Sequence, residues 1–330
     1  MSKGGSRRSE RGAALLTTLV ATSALAVLAI GASQSVSTAL FAAELGQDRA
    51  QAEWYVRGAE DYAAVLVEQR VRAQARTRVG LDQLNVFPID YGRMEVSVRD
   101  AANCFNVNAL DRRGFEDDET EAGADYDPQA HLTDLFRGLG INGQAAVALS
   151  ASIADYVDPD ASPRPFGAEA QVYLARRTPH LPAQGPIADL TELLAIDGVD
   201  VSTYRAIEPF LCAHDGREPS RININTLRPD QAPLLYALVS GEVDVSALAR
   251  VIAERPDNGY RTTTAFWAND ALQAVAPEAR LEALTDTTSR QYLLVGRIAY
   301  QDISLPFRSL LVVNQADEAR IVSRSVGAVL

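Results

Sequence analysis

Four carboxylates stand close together near the middle of this 330-residue chain: Asp155, Asp158 and Asp160, then Glu169 after Pro163, Pro165 and Gly167. Closely spaced acids on a proline-stiffened loop, with backbone carbonyls at hand, make the hard-oxygen set that Ca2+ takes, six to eight ligands in all. The segment lacks the EF-hand order of oxygen ligands, central glycine and terminal glutamate. A purely structural reading stands beside the calcium one: Asp158 and Asp160 close Asx turns around Pro159, and Glu169 lies on a solvated face. A second acidic run, Glu116, Asp117, Asp118, Glu119, Glu121, Asp125 and Asp127, carries more charge around Gly123 but little apolar content. That is the composition of a solvated loop, with a second ion on Asp125 or Asp127 the lesser alternative.

Cys104 and Cys212 are the only cysteines. In an oxidising compartment they can close a large loop as a disulfide, stabilising by roughly 3 to 5 kcal/mol in the chain-entropy model. The alternative is two separate buried thiols. His131, His180 and His214 have no metal-ligand spacing with the cysteines, which argues against zinc. The one lysine, Lys3, leaves the body of the chain without a P-loop, Schiff-base or general-base lysine. A Gly-x-Ser-x-Gly elbow, a His-Glu-x-x-His pair and a glycine-rich phosphate fingerprint are all missing from the sequence, so no catalytic residues are assigned. The net charge of -12 repels phosphate backbones and argues against nucleic acid as a partner. Gly138-Leu139-Gly140 and Gly198 therefore read as packed helical hairpins rather than phosphate-binding ones.

The elements that must position these groups begin with a basic leader, Lys3, Arg7, Arg8 and Arg11 against Glu10, followed by no charged side chain from Ala13 to Ala43. The run exceeds the roughly 20 residues a helix needs to cross a bilayer, and the basic flank should stay cytoplasmic with the body exported. Removing residues 1–12 would leave a net charge near -15. An ordinary secretory signal cut near Ala32 is the alternative, disfavoured because helical periodicity continues without a turn signal. No proline interrupts Ala13 to Arg78, and Leu45, Trp54, Tyr55, Tyr62, Leu66, Val67 and Val71 recur near helical spacing. One helix of roughly 100 Å is expected, its second half laying that bulky stripe on a globular domain.

Beyond Gly80 the period changes to two: Met94, Val96 and Val98 alternate with polar residues, and further strands are expected at Tyr292–Ala299, Phe307–Val313 and Arg320–Val326, with Pro306 breaking the chain before the third of these four. Strands so far apart share one antiparallel sheet only if the middle is an insertion. That middle holds an echo, Phe105-Asn106-Val107-Asn108-Ala109-Leu110 and Ile222-Asn223-Ile224-Asn225-Thr226-Leu227, each with asparagines placed to cap a following helical segment. The expected fold is α+β: a pilin-like long N-terminal helix on a small antiparallel sheet, with a large all-α domain inserted in the sheet region. The divisions are 1–12, 13–43, 44–102, 103–290 and 291–330.

Gly12 followed by Ala13 at the head of the apolar helix resembles the leader of type IV prepilins and type II secretion pseudopilins. The resemblance implies cleavage between Gly12 and Ala13 by a prepilin peptidase, with methylation of the new terminus. Such proteins carry glutamate as the fifth mature residue, where this chain has Thr17. A carboxylate in the membrane is tolerated only when paired, so its absence removes a pairing with a neighbouring subunit. That departure, the split sheet, the paired Asn-x-Asn motifs, Asp155-Tyr156-Val157-Asp158 and the late Cys212 together resemble the type II secretion minor pseudopilin K family. The resemblance implies a non-enzymatic, single-pass inner-membrane subunit with a periplasmic body at the pseudopilus tip. There it would initiate or cap the filament with minor pseudopilins I and J and meet other pseudopilins. It also implies calcium in the helical domain, carried here to Asp155, Asp158, Asp160 and Glu169 alone. The reading from another class is a signal-anchored periplasmic enzyme or substrate-binding protein, which expects an uncut Gly12 and a deep pocket.

Overall fold

A computed structural model describes residues 6–74, 81–111, 126–214 and 216–327, with side chains from Ala14 onward. The chain runs α1 (Ser6–Arg72), β1 (Asn85–Ile89), β2 (Gly92–Asp100) and β3 (Phe105–Asn106), then α2 (Pro128–Gly138), α3 (Gly143–Val157), α4 (Ala170–Leu174) and α5 (Val201–Ile207). It continues through β4 (Leu211–Cys212), β5 (Ile222–Asn223), α6 (Ala232–Leu238), α7 (Val245–Ala253), α8 (Thr263–Trp267), α9 (Asp270–Gln273) and β6 (Thr285–Asp286). It ends in β7 (Gln291–Tyr300), β8 (Ile303–Val313) and β9 (Ala319–Val326).

The 67 residues of α1 make a rod of about 100 Å. Its apolar half leaves every side chain from Ala14 to Leu45 exposed, and the window of mean hydropathy 2.1 there meets the length and composition of a membrane span. Six of its hydroxyls are satisfied within the helix: Thr17, Thr18, Thr22 and Ser23 donate to carbonyls three residues back at 2.9 to 3.0 Å, and Ser37 and Thr38 to carbonyls four back. Burial begins at Ala52 and follows Val56, Ala59, Glu60, Ala63, Val67 and Arg70, a stripe at three- and four-residue steps.

This stripe overlaps the expected one in part: Val67 is buried, and Tyr55, Leu66 and Val71 pack against the same core. Leu45, Trp54 and Tyr62 are exposed, and three alanines, Ala52, Ala59 and Ala63, take fully buried places on the sheet. The three alanines let the helix approach the sheet closely, while Trp54 stays exposed. Trp54 carries the Arg57 guanidinium 4.5 Å over its ring, and Tyr62 meets Phe87 edge-on at 5.1 Å. Glu60 is the polar fastener, accepting from Ser309 Oγ at 2.6 Å and Arg324 Nε at 2.7 Å, which ties α1 to β8 and β9.

The sheet has the order β1-β2-β7-β8-β9 and is antiparallel throughout. Val96, Val98, Leu294, Ile298, Phe307 and Leu311 face α1. β1 was not legible in the sequence because it is short, contains Pro88 and lies at the edge, where a missing N–H costs no ladder bond. Pro306 does not break the chain; it lies inside β8 opposite Arg297. Its ring nitrogen faces the β9 side, where pairing has ended at Val326, and its carbonyl on that side accepts from Gly327 N at 2.9 Å.

β2 ends at Asp100 and its partner β7 starts at Gln291, so the chain leaves the sheet and returns at one place, where Ala101 N donates to Gln291 O at 2.9 Å. The described residues between them form their own apolar core. The insertion is not wholly helical. β3 pairs with β4 and β5 with β6, each two residues long and parallel.

The two Asn-x-Asn motifs sit at the same structural place. Asn108 Nδ2 donates to Ile187 O and His214 O while its Oδ1 accepts from Ile187 N; Asn225 Nδ2 donates to Tyr260 O and Thr287 O while its Oδ1 accepts from Tyr260 N. Asn106 and Asn223 accept from the amides of Asn108 and Asn225. The insertion is thus two copies of one module, joined chiefly by α2 against α6. Gly138 permits that contact, since a Cβ there would lie 3.0 Å from the Tyr236 ring. The second module is fastened to the sheet's exit: Asp100 Oδ2 accepts from Asn223 Nδ2 at 2.8 Å and Thr226 Oγ1 at 2.7 Å.

Candidate metal centre

The carboxylates lie where the two modules differ. In the second module, α7 is followed within seven residues by Tyr260, which meets Asn225; in the first, α3 is followed by a long detour before Ile187, which meets Asn108. The acids occupy this detour. Asp155 is on the last turn of α3, and Asp158 caps its C-terminus with N–H to Ala154 O at 3.0 Å. Asp160 Oδ1 accepts from Ser162 N at 2.8 Å, an Asx turn that starts the Pro163–Pro165 bend. Phe166 then takes a left-handed φ of 68° and Gly167 passes so near Asp155 that a Cβ would lie 2.0 Å from its Oδ2. Glu169 stands at the N-cap of α4 without capping it, which leaves its carboxylate turned toward the acids.

Asp158, Asp160 and Glu169 each offer an oxygen within 4.8 Å of the others. Asp155 stands apart from this group. Its carboxylate takes Arg164 N at 3.1 Å and Arg164 Nη1 at 2.8 Å, and the same guanidinium pairs with Asp158. Arg164 was not singled out in the sequence, although an arginine between two prolines amid four acids is a visible signal. One guanidinium among four carboxylates leaves excess negative charge in a site where Asp155 and Asp158 are fully buried and Glu169 is 5 % exposed. Neither Glu169 oxygen has a hydrogen-bond partner. Burial, then the charges of Asp155 and Asp158, push its carboxyl above the usual range. An unpartnered buried carboxylate beside two more acids is costly alone and fits a hard divalent cation well.

Of the other singled-out residues, Asp127 caps α2, its Oδ1 accepting from Gln129 N and Ala130 N. Glu116, Asp117, Asp118, Glu119, Glu121 and Asp125 lie outside the described residues. Gly12 and Ala13 fall within α1, and their side-chain surroundings also lie outside them. Cys104 and Cys212 are bonded, Cα to Cα 5.7 Å, at the paired strands β3 and β4.

A rod-like, apolar N-terminal helix laid on a five-stranded antiparallel sheet defines a pilin-like subunit, here one that carries a two-module insertion. Residues 103–216 and 222–287 each match a family model described as type II secretion system protein K, dividing where the modules divide. Type II secretion system protein K of Klebsiella pneumoniae is 32 % identical over 304 residues, 90 % of this chain and 92 % of the relative. That of Pectobacterium carotovorum subsp. carotovorum is 29 % identical over 325 residues, 97 % and 98 %. The crystal structure of the GspK-GspI-GspJ complex from the enterotoxigenic Escherichia coli type 2 secretion system contains a chain of TM-score 0.71 and 25 % identity, covering 86 % of this chain and 98 % of that one. The chain belongs to the type II secretion system protein K family and is a minor pseudopilin.

Proposed function

We propose that this protein starts or caps the pseudopilus from its tip, held by α1 as a single inner-membrane span with its body in the periplasm. Prepilin peptidase would cut it between Gly12 and Ala13. The observation that carries the tip reading is Thr17: its hydroxyl is satisfied within α1 by Ala14 O at 2.9 Å, so this position asks for no charge from a subunit ahead. The solved complex of GspK with GspI and GspJ supports partnership with minor pseudopilins I and J. Family membership supports a structural part over catalysis, and so disfavours the anchored-enzyme reading.

Calcium belongs to the same proposal. Asp158, Asp160 and Glu169 would hold it, with Asp155 fixed behind them by Arg164, and the ion would neutralise the acids and tie α4 to the end of α3. Its part is to order the detour, not to react.

The test is intact mass and N-terminal sequence after co-expression with the cognate prepilin peptidase, beside Gly12→Ala. A chain starting at Ala13 only when Gly12 is present supports the reading, and an uncut chain or one cut near Ala32 overturns it. Replacing Thr17 with glutamate should then let further subunits add beyond it, read as longer filaments in reconstituted assembly.

A further inference from the structure

Sequence spacing sets His214 apart from Cys104, yet the fold places its Nε2 3.5 Å from Cys104 Sγ, and ligand atoms of Cys104, Cys212 and His214 lie within 4.8 Å of one another. The imidazole is held there by its own backbone: His214 N donates to Asn106 Oδ1 at 3.1 Å, and His214 O accepts from Asn108 Nδ2 at 3.0 Å. Ser220 Oγ sits beside both sulfurs, 3.9 Å from Cys104 Sγ and 3.6 Å from Cys212 Sγ. A small cavity of about 10 Å³, room for about one water, adjoins Cys104 and Ser220. The second module has the same backbone scaffold without this chemistry, with Arg221 before β5 and Asp286 in β6 where the first has Cys104 and Cys212.

We propose that Cys104, Cys212 and His214 form a second metal site, exclusive with the disulfide, that takes a soft divalent cation such as Zn2+ when the cysteines are reduced. Two thiolates and an imidazole are the ligands zinc prefers, and three protein ligands with a fourth place for water or the Ser220 hydroxyl complete a tetrahedron. Sulfur and nitrogen donors separate this site from the all-oxygen centre on the detour, which suits calcium. The chemistry balances. A phosphine gives two electrons to the cystine and takes the oxygen of a water molecule as phosphine oxide, while that water's two protons go to Cys104 and Cys212; the cation then displaces those protons. A chain exported with both cysteines reduced would hold the ion, and transfer of two electrons from the thiolates to a disulfide oxidant, itself reduced to a dithiol, would close the cystine and expel it.

The test uses the full chain with Ca2+ present throughout, reduced with a phosphine or left oxidised, and titrated with Zn2+ by calorimetry and with Co2+ by absorption. One equivalent of Zn2+ and a thiolate-to-cobalt charge-transfer band are expected in the reduced chain alone. Affinity should fall by at least about 100-fold in His214→Ala, the upper range for loss of a supporting group, and the band should weaken in Cys212→Ser. The band reports thiolate ligation whatever the carboxylates bind. No band in a reduced chain with native circular dichroism overturns the proposal, as does unchanged affinity in His214→Ala. Loss of the fold on reduction overturns it too, because the site requires β3 and β4 to stay paired.

Discussion

Glu169 and His131 are single side chains whose charge the fold resists. Glu169→Gln removes a buried negative charge, so the calcium-free protein should melt no lower than the parent while the rise in melting temperature on adding Ca2+ disappears; a retained rise would exclude Glu169 as a ligand. His131 lies against Phe105 and within 2.9 Å of the Tyr126 hydroxyl, and burial lowers its pKa from 6.5 to about 4. Its neutral form is the one the folded state favours. That contribution is complete above pH about 6.5 and is lost as pH falls toward about 4. Stability by urea titration should decline across that window in the parent and decline less in His131→Phe. The acids of the metal centre were legible as a group; the separation of Asp155 from the others was not, because it depends on which carboxylate Arg164 reaches. His214 was invisible for a similar reason, since its neighbour in space is 110 residues away in sequence.

At the scale of elements, periodicity located four of the sheet strands and the long helix, because alternation and helical spacing are local properties of the chain. The face of α1 that meets the sheet was read in part: Tyr55, Leu66, Val67 and Val71 pack on its core, whereas Leu45, Trp54 and Tyr62 are exposed and Ala52, Ala59 and Ala63 take fully buried places. Ala63→Leu should therefore cost about 1 to 3 kcal/mol through overpacking, whereas Trp54→Ala should stay within about 0.5 kcal/mol in urea unfolding. The Asn-x-Asn echo was readable as helix caps but hid a larger task, the seating of parallel strand pairs too short to carry a pattern. Each second asparagine satisfies two carbonyls and one amide in the core. Asn108→Ala and Asn225→Ala should each destabilise by about 2 to 4 kcal/mol, and by similar amounts, if the two modules are equivalent. A much smaller loss in either would mean that its module tolerates an open seat.

For the whole molecule, the junction of insertion and sheet is the decisive feature. Because Asp100 and Gln291 begin and end the excursion side by side, replacing residues 101–290 with a tight turn should leave α1 and the five strands folded, read from circular dichroism and a cooperative melt of the shortened chain. Failure to fold would mean that the bonds from Asn223 and Thr226 to Asp100 are required to seat β2.

The two connections at that junction also decide how the molecule carries force. Both enter the sheet at the same end of two hydrogen-bonded neighbours, so a pull on the inserted modules loads β2 and β7 together along their length, against β1, β8 and α1. A thrust from α1 toward those modules presses them onto that same end of the sheet, so in either direction the two strands share the load.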